Sequence, residues 1–401
     1  MQHRSFQAIY CLFFLLFLSA FLPALDEIGR KQLDQLWRDH KFLSAWQQVE
    51  KMDPQSEDLD AVLFRSKCLL QSMVRPADPT QFFLKDGVIE GLDSGNPIGI
   101  DGLSAVRYPL IANLLAFLKQ FPESQELWLA LGSANYQFSR LAIKGSEQQI
   151  GFARDSLGAY QKAIQLGNVE GTTYWRTGIL LTLFGDFSQA STVLGLARIK
   201  LDRNPELRYD LAYALWLQGD FPAALEMARQ ARDALKQPES LALARLLIAD
   251  IQFSMKDITA ALASFQDIYG QNPANLYPLR RMIECSLILA DNASLEKFTR
   301  QYAESLPVNP ESLYSLTMLF LQYGTQDVLF ATTKVLKTAY AKTRPEVAGL
   351  MAFYEAMVYA GTRQSKEALA ALDETNQYLG VLYGPDHPIS QRIREMYSSL
   401  R

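Results

Sequence analysis

The strings GDFSQA at residues 185–190 and GDFPAA at residues 219–224 decide the reading of this chain. The same Gly-Asp-Phe recurs after 34 residues, and an alanine, Ala190 or Ala224, stands three places after each phenylalanine. Gly185 and Gly219 each close an apolar-periodic stretch, where a residue of positive φ is needed. The aspartate that follows can accept from the exposed amides of the next helix. Each string therefore reads as a tight turn between two helices. Ahead of the second turn, Leu207, Leu211 and Leu215 fall four apart on one helical face; behind it, Ala224, Ala228, Ala231 and Leu235 form another. Neither stripe can be buried by one helix alone, so the hairpins must stack.

The pattern continues outward. KDITAALASFQDIYGQNP (256–273) repeats the turn with Lys256 in place of glycine, then gives Ala261, Phe265, Ile268 and Pro273. LWLALG (127–132) places Trp128, Leu131 and Gly132 at the spacing W-x2-L-G. On these residues the chain resembles the tetratricopeptide repeat, a 34-residue helix hairpin written W-x2-L-G-x2-Y, then A-x3-F, then P. The clearest units span 171–204, 205–240 and 242–275. Weaker ones follow at 276–309, where ADNAS replaces the turn, and at 310–345, where Gly324 marks it. The stretch 346–380 keeps Ala368 and Leu372 ahead of YGPDHP (383–388), which is similar to the inter-repeat stretch of kinesin-light-chain-like repeats. Near the front, Phe42, Ala45 and Val49 stand at matching offsets. The resemblance implies an all-α fold, an α-solenoid of antiparallel helix hairpins wound as a right-handed superhelix.

Two stretches break the period. About a dozen extra residues between Gly132 and Ser156–Ile164 predict a lengthened helix pair. The segment 74–107 collects Gly87, Gly91, Gly95, Gly99 and Gly102 with Pro76, Pro79 and Pro97, which predicts one short helix around 80–92 and then a loop. The resulting organisation is 1–24 a signal peptide or membrane anchor, 25–73 degenerate repeat helices, and 74–107 the insert. Beyond these lie 108–170 a repeat with an extended pair, 171–309 the central repeats, and 310–401 degenerate repeats closed by a polar capping helix.

The first 25 residues have their own character. Arg4 precedes an apolar run from Phe6 to Leu22, Ala24 offers a cleavage point, and Asp26 and Glu27 follow. That order predicts export, to a bacterial periplasm or to the membrane surface facing it. Cys68 and Cys285 would remain in the mature chain, too few and too distant for a disulfide framework, and read as small buried apolar residues.

Of 401 residues 49% are hydrophobic and 20% charged, so the chain can form a core; its net charge of −4 argues against a general nucleic-acid binder. An enzyme needs converging polar groups, and these are scarce. The histidines are His3, His40 and His387, none paired at ligand spacing. No nucleophile elbow or phosphate-binding loop is present. The insert lacks the alternating acids of a calcium loop and the G-x-G-x-x-G order of a dinucleotide cradle. Asn292 heads a glycosylation sequon. The expectation is a non-catalytic scaffold with no cofactor or metal.

The resemblance implies that the first helix of each pair lines the concave face. Carried over residue by residue, the inward positions are Trp175 and Ile179; Tyr209, Tyr213 and Trp216; Leu246, Asp250 and Phe253; then Arg280 and Glu284. An aromatic groove with Arg280 and Arg281 at one end suits an extended peptide or a helix of a partner protein. The family's clamp for acidic chaperone tails is absent, since Trp175, Ile179, Tyr209 and Tyr213 occupy its places. A ligand-binding or enzymatic site at the insert, and self-assembly through end repeats, are the competing readings.

Overall fold

The structure is a computed structural model that describes residues 27–71, 80–86, 102–305, 318–320, 322, 323 and 326–400. The chain divides into two units, Met1–Leu207 and Arg208–Arg401. The segment read as a signal or anchor lies outside the described residues, as does Gly324. Among the described residues no helix is long and apolar enough to cross a membrane.

The first unit opens with α1 (Glu27–Arg38), α2 (Phe42–Met52) and α3 (Leu59–Gln71). The offsets read in α2 are borne out, because Phe42, Ala45 and Val49 are all buried. A strand pair follows, β1 (Gln81–Leu84) and β2 (Ser104–Arg107), antiparallel with Gln81 opposite Arg107 and Leu84 opposite Ser104. Here the expectation of a helix around 80–92 fails. QFFL alternates, and β1 buries Phe82 and Leu84 while Gln81 and Phe83 stay partly exposed. Residues 87–101 lie outside the described residues.

The unit continues with α4 (Leu110–Gln120), α5 (Gln125–Leu141), α6 (Glu147–Gln165), α7 (Gly171–Leu183) and α8 (Phe187–Lys200). The expected long pair is present, since α5 has 17 residues and α6 has 19. Phe82 and Leu84 join Trp46, Leu69, Leu114, Leu127 and Phe138 in one core. The strand pair is thus built into the helices rather than looped out from them.

The second unit is helical throughout its described residues. It comprises α9 (Pro205–Gln218, whose first turn carries the boundary), α10 (Phe221–Ala234), α11 (Pro238–Ser254), α12 (Ile258–Gln271), α13 (Leu276–Leu289) and α14 (Asn292–Ser305). Then come α15 (Gln326–Tyr340), α16 (Pro345–Gly361), α17 (Ser365–Leu382) and α18 (Pro388–Leu400). Helix α11 starts at Pro238, inside the span that the period assigned to the preceding unit, because proline is well placed in a first helical turn. Neighbouring helices pack in chain order within each unit. Alternate first helices also touch, through bonds from α9 to α11 and from α11 to α13. Each unit is therefore a stack of helix hairpins.

The turn reading holds atom by atom. Gly185 and Gly219 take φ of +82° and +93°. The side chains of Asp186, Asp220 and Asp257 accept from the amides of Gln189, Ala223 and Ala260 at 3.1, 3.3 and 3.2 Å. A cap of this kind contributes about 1 kcal/mol. At equivalent turns Lys256, Ala290 and Arg363 hold the same left-handed conformation without being glycine.

Candidate functional site

In the second unit α9, α11 and α13, the first helices of three successive hairpins, share one face. The Trp216 indole N–H donates to Ser254 Oγ at 2.9 Å, which ties α9 to α11. The Tyr277 hydroxyl donates to Asp250 Oδ1 at 2.8 Å, tying α13 to α11, and Arg281 Nε lies 3.1 Å from the same oxygen. Arg281 also pairs with Glu284, and its guanidinium carbon sits 3.8 Å from the centre of the Phe253 ring. Arg280 lies further out, its Nε 3.7 Å from Glu284 Oε1.

Burial sorts the seven anticipated contact residues. Tyr213, with its ring 5.7 Å from that of Trp216, is exposed, and the side chain of Arg280 is 43% exposed. Trp216 is half-buried. Asp250 and Arg281 bind each other beneath the surface, so their charges are largely committed. Tyr209 packs on Ala231, Leu235 and Ala244, and burial, with help from Asp210, pushes its phenol up to about 12. Trp175 is half-buried on α7 in the first unit. Tyr277 was not anticipated: it is 42% exposed at the first turn of α13, where the repeat pattern gives no aromatic signal.

Electrostatics on this face follows burial. Desolvation raises the Asp250 carboxyl above its ordinary value, overriding the pull of Arg281 and Tyr277. Arg281 is also raised, because Glu284 and Asp250 outweigh the cost of its burial. Two arginines facing two carboxylates leave a balanced surface, with Arg280 the outermost charge.

A second polar cluster joins α15, α16 and α17. Lys337 Nζ lies 2.6 Å from Glu355 Oε2 and 2.8 Å from Glu374 Oε2, and the Thr333 hydroxyl donates to Glu355. It borders a cleft of about 440 Å³ walled by Phe330 and Tyr359, whose rings stack at 4.3 Å. Helix α16 is buried on every side from Val347 to Ala356, so the Glu355 carboxylate depends on this pairing.

The described part of the insert has structural work. Asp86 accepts from the Ser44 amide at 3.0 Å and from its hydroxyl at 2.6 Å, supplying a cap to α2, which lacks one of its own. Arg65, almost fully buried, bonds Asp53 and Ser56 and lies over the rings of Trp46 and Tyr108. His387 Nδ1 accepts from the Ile389 amide at the start of α18. Cys68 and Cys285 are buried free thiols, as expected, and burial pushes both up to about 12.

Glycine sets how closely paired helices approach. A Cβ on Gly132 would stand 2.7 Å from the Tyr160 ring, and one on Gly178 would stand 2.4 Å from Leu194, so each pair of helices closes only over glycine. The chain has a tetratricopeptide-type fold. No family model matches it, and no curated relative does. Among solved structures it is similar to a tetratricopeptide repeat protein from Parabacteroides merdae, with 10% identity over 72% of this chain and 90% of that one at a TM-score of 0.39. It is similar also to yeast Tom70, with 11% identity over 90% and 78% of the two chains and a TM-score of 0.39. YrrB, described as a tetratricopeptide protein with an unusual peptide-binding site, shares 12% identity over 60% of this chain and 99% of its own, at a TM-score of 0.33. The assignment of tetratricopeptide-type hairpins rests on the turns, caps and glycine contacts above.

Proposed function

We propose that this chain is a non-catalytic scaffold that binds a segment of a partner protein across α9, α11 and α13. The observation that carries this reading is the set of cross-helix bonds, Trp216 to Ser254 and Tyr277 to Asp250, which hold three helices together beneath exposed Tyr213, Tyr277 and Arg280. A surface fixed before binding limits the ordering cost of association, and tyrosine and arginine are the residue types that anchor such contacts. An extended peptide or a helix lying along the three helices meets ring faces first and Arg280 at one edge.

The test is a photo-crosslinker placed at Tyr213, with the captured segment sequenced by mass spectrometry. One defined partner segment is expected, and Arg280→Glu should abolish its capture without lowering Tm. Unchanged capture by Arg280→Glu, or crosslinks scattered over unrelated proteins, would refute the assignment.

We further propose that the scaffold works outside the cytoplasm, delivered by residues 1–24. The order of Arg4, apolar run, Ala24 and acidic flank supports this. Sequencing the amino terminus of the protein from fractionated cells checks it: an intact Met1 in the cytosolic fraction would refute export.

A further inference from the structure

The cleft of about 440 Å³ beside the Lys337 cluster lies between α15 and α17, with α16 as its floor. From α15 come Lys334, Lys337 and Thr338. Helix α16 contributes Glu355 and Tyr359, one turn apart, and α17 contributes Glu374 and Tyr378 at the same spacing. None of the lining residues belongs to α9, α11 or α13, so the cleft is separate from the face they form.

The charges around it cancel. Lys334 and Lys337 stand against Glu355 and Glu374, and Lys337 Nζ already donates to both carboxylates. Burial opposes the Lys337 charge, yet its bonds to the two glutamates raise the ammonium above its ordinary range, so it keeps its proton and its place. A cationic ligand would have to displace Lys337. An anionic one drawn to Lys334 would meet Glu374, whose side chain is 35% exposed. The space therefore suits a neutral molecule.

Hydrogen-bonding capacity is left over in both senses. Lys334 is exposed and makes no ion pair among the described residues, which leaves a donor. Lys337 lies on Glu374 Oε2, which leaves Oε1 as an acceptor. The Thr338 hydroxyl donates to the Lys334 carbonyl and can still accept. The Tyr359 and Tyr378 hydroxyls have no hydrogen-bond partner among the described residues, and each can donate and accept. Beside these polar groups the Phe330 and Tyr359 rings stack within 13° of parallel, and both are partly exposed, so their pair forms an apolar wall. The volume falls in the range of small-molecule sites, about 300–1,000 Å³, whereas the lining is far more polar than such sites usually have. A polyol needs that mixture: hydroxyls that donate to a carboxylate and accept from an ammonium or a phenol, with C–H surface to lie against rings.

We infer that this cleft is a binding site for a neutral saccharide. One sugar hydroxyl donates to Glu374 and another accepts from Lys334, the tyrosine hydroxyls bond those further along, and the C–H face of the ring lies against Phe330 and Tyr359.

The test is a glycan array probed with the labelled full chain, followed by calorimetric titration with free maltose, cellobiose and N,N′-diacetylchitobiose. Spermidine, digalacturonate and adenosine serve as charged and non-sugar controls. At least one neutral glycan should bind on the array. Binding of a free disaccharide would assign the site to a short soluble sugar, and binding confined to longer immobilised chains would assign it to a glycan segment; both support the inference. Lys334→Ala, at an exposed position, and Tyr378→Phe, which removes a single hydroxyl, should each weaken that binding at least threefold with Tm unchanged. Lys342→Ala, which removes an exposed charge outside the cleft, should leave it as in the parent. Failure of every neutral glycan to bind would overturn the inference, as would any control bound more tightly than all the sugars. So would binding that both cleft variants leave unchanged, or a loss in Lys342→Ala equal to that in Lys334→Ala.

Discussion

Leu194 fills the space directly above Gly178: a Cβ added there would meet the leucine Cγ at 2.4 Å and Cδ2 at 2.6 Å. Leu194 is fully buried and cannot swing aside, so Gly178→Ala should destabilise the chain by about 1–3 kcal/mol through overpacking. Gly195, one residue further along α8, has nothing within 4 Å of its hypothetical Cβ. Gly195→Ala should stabilise by about 1 kcal/mol, the ordinary helix preference for alanine. Urea melts of the two variants should move in opposite directions; movement in the same direction would contradict the packing described.

Lys256 occupies a left-handed turn at φ +66° that glycine fills at Gly185 and Gly219. Holding a side chain in that region costs about 1 kcal/mol, so Lys256→Gly should raise stability by a similar amount, less the added freedom of the unfolded chain. A lower Tm for Lys256→Gly would mean that the lysine side chain makes a compensating contact.

The Lys337–Glu355–Glu374 cluster should behave as one unit. Lys337→Met strands the buried Glu355 carboxylate and should cost about 3 kcal/mol. Adding Glu355→Gln should restore at least about 1 kcal/mol of that loss. A double-mutant cycle with no coupling would show that the pairing contributes nothing to the packing of α15 on α16.

Asp250 gives the second unit a pH response of defined sign. Its carboxyl is raised by burial, so the folded chain takes up this proton more readily than the unfolded one. Its contribution is complete below the ordinary aspartate range and is lost as pH rises through the folded value. Relative to Asp250→Asn, the parent should therefore lose stability from about pH 4 upward. Urea melts at a series of pH values check this, and a gap that widens in favour of the parent with rising pH would reverse the sign.

Cys68 and Cys285 should resist alkylation in the native chain and react on unfolding, because burial suppresses both thiolates. Mass spectrometry after brief iodoacetamide treatment distinguishes the two states. Rapid native labelling of either thiol would contradict its burial.

The hairpins were legible because their determinants are local. A left-handed residue, an aspartate cap and a small residue three places after the phenylalanine all lie within six positions, and the structure places Asp186 and Asp220 as the spacing demands. The strand pair was not legible. QFFL and SAVR are four residues each, separated by 19 residues rich in glycine, and only their pairing makes them strands. Of the residues that repeat spacing puts forward, Tyr213 and Arg280 are exposed; the spacing could not reveal that Asp250 and Arg281 neutralise each other, since that depends on two helices meeting.

The bond between Asp86 and Ser44 has a consequence for synthesis on the ribosome. The group that closes the start of α2 emerges 42 residues later, and β1 has no strand to pair with until Arg107 has been made. The amino-terminal part of the chain must therefore wait, incompletely assembled, while hairpins further along can each be finished almost as soon as they appear.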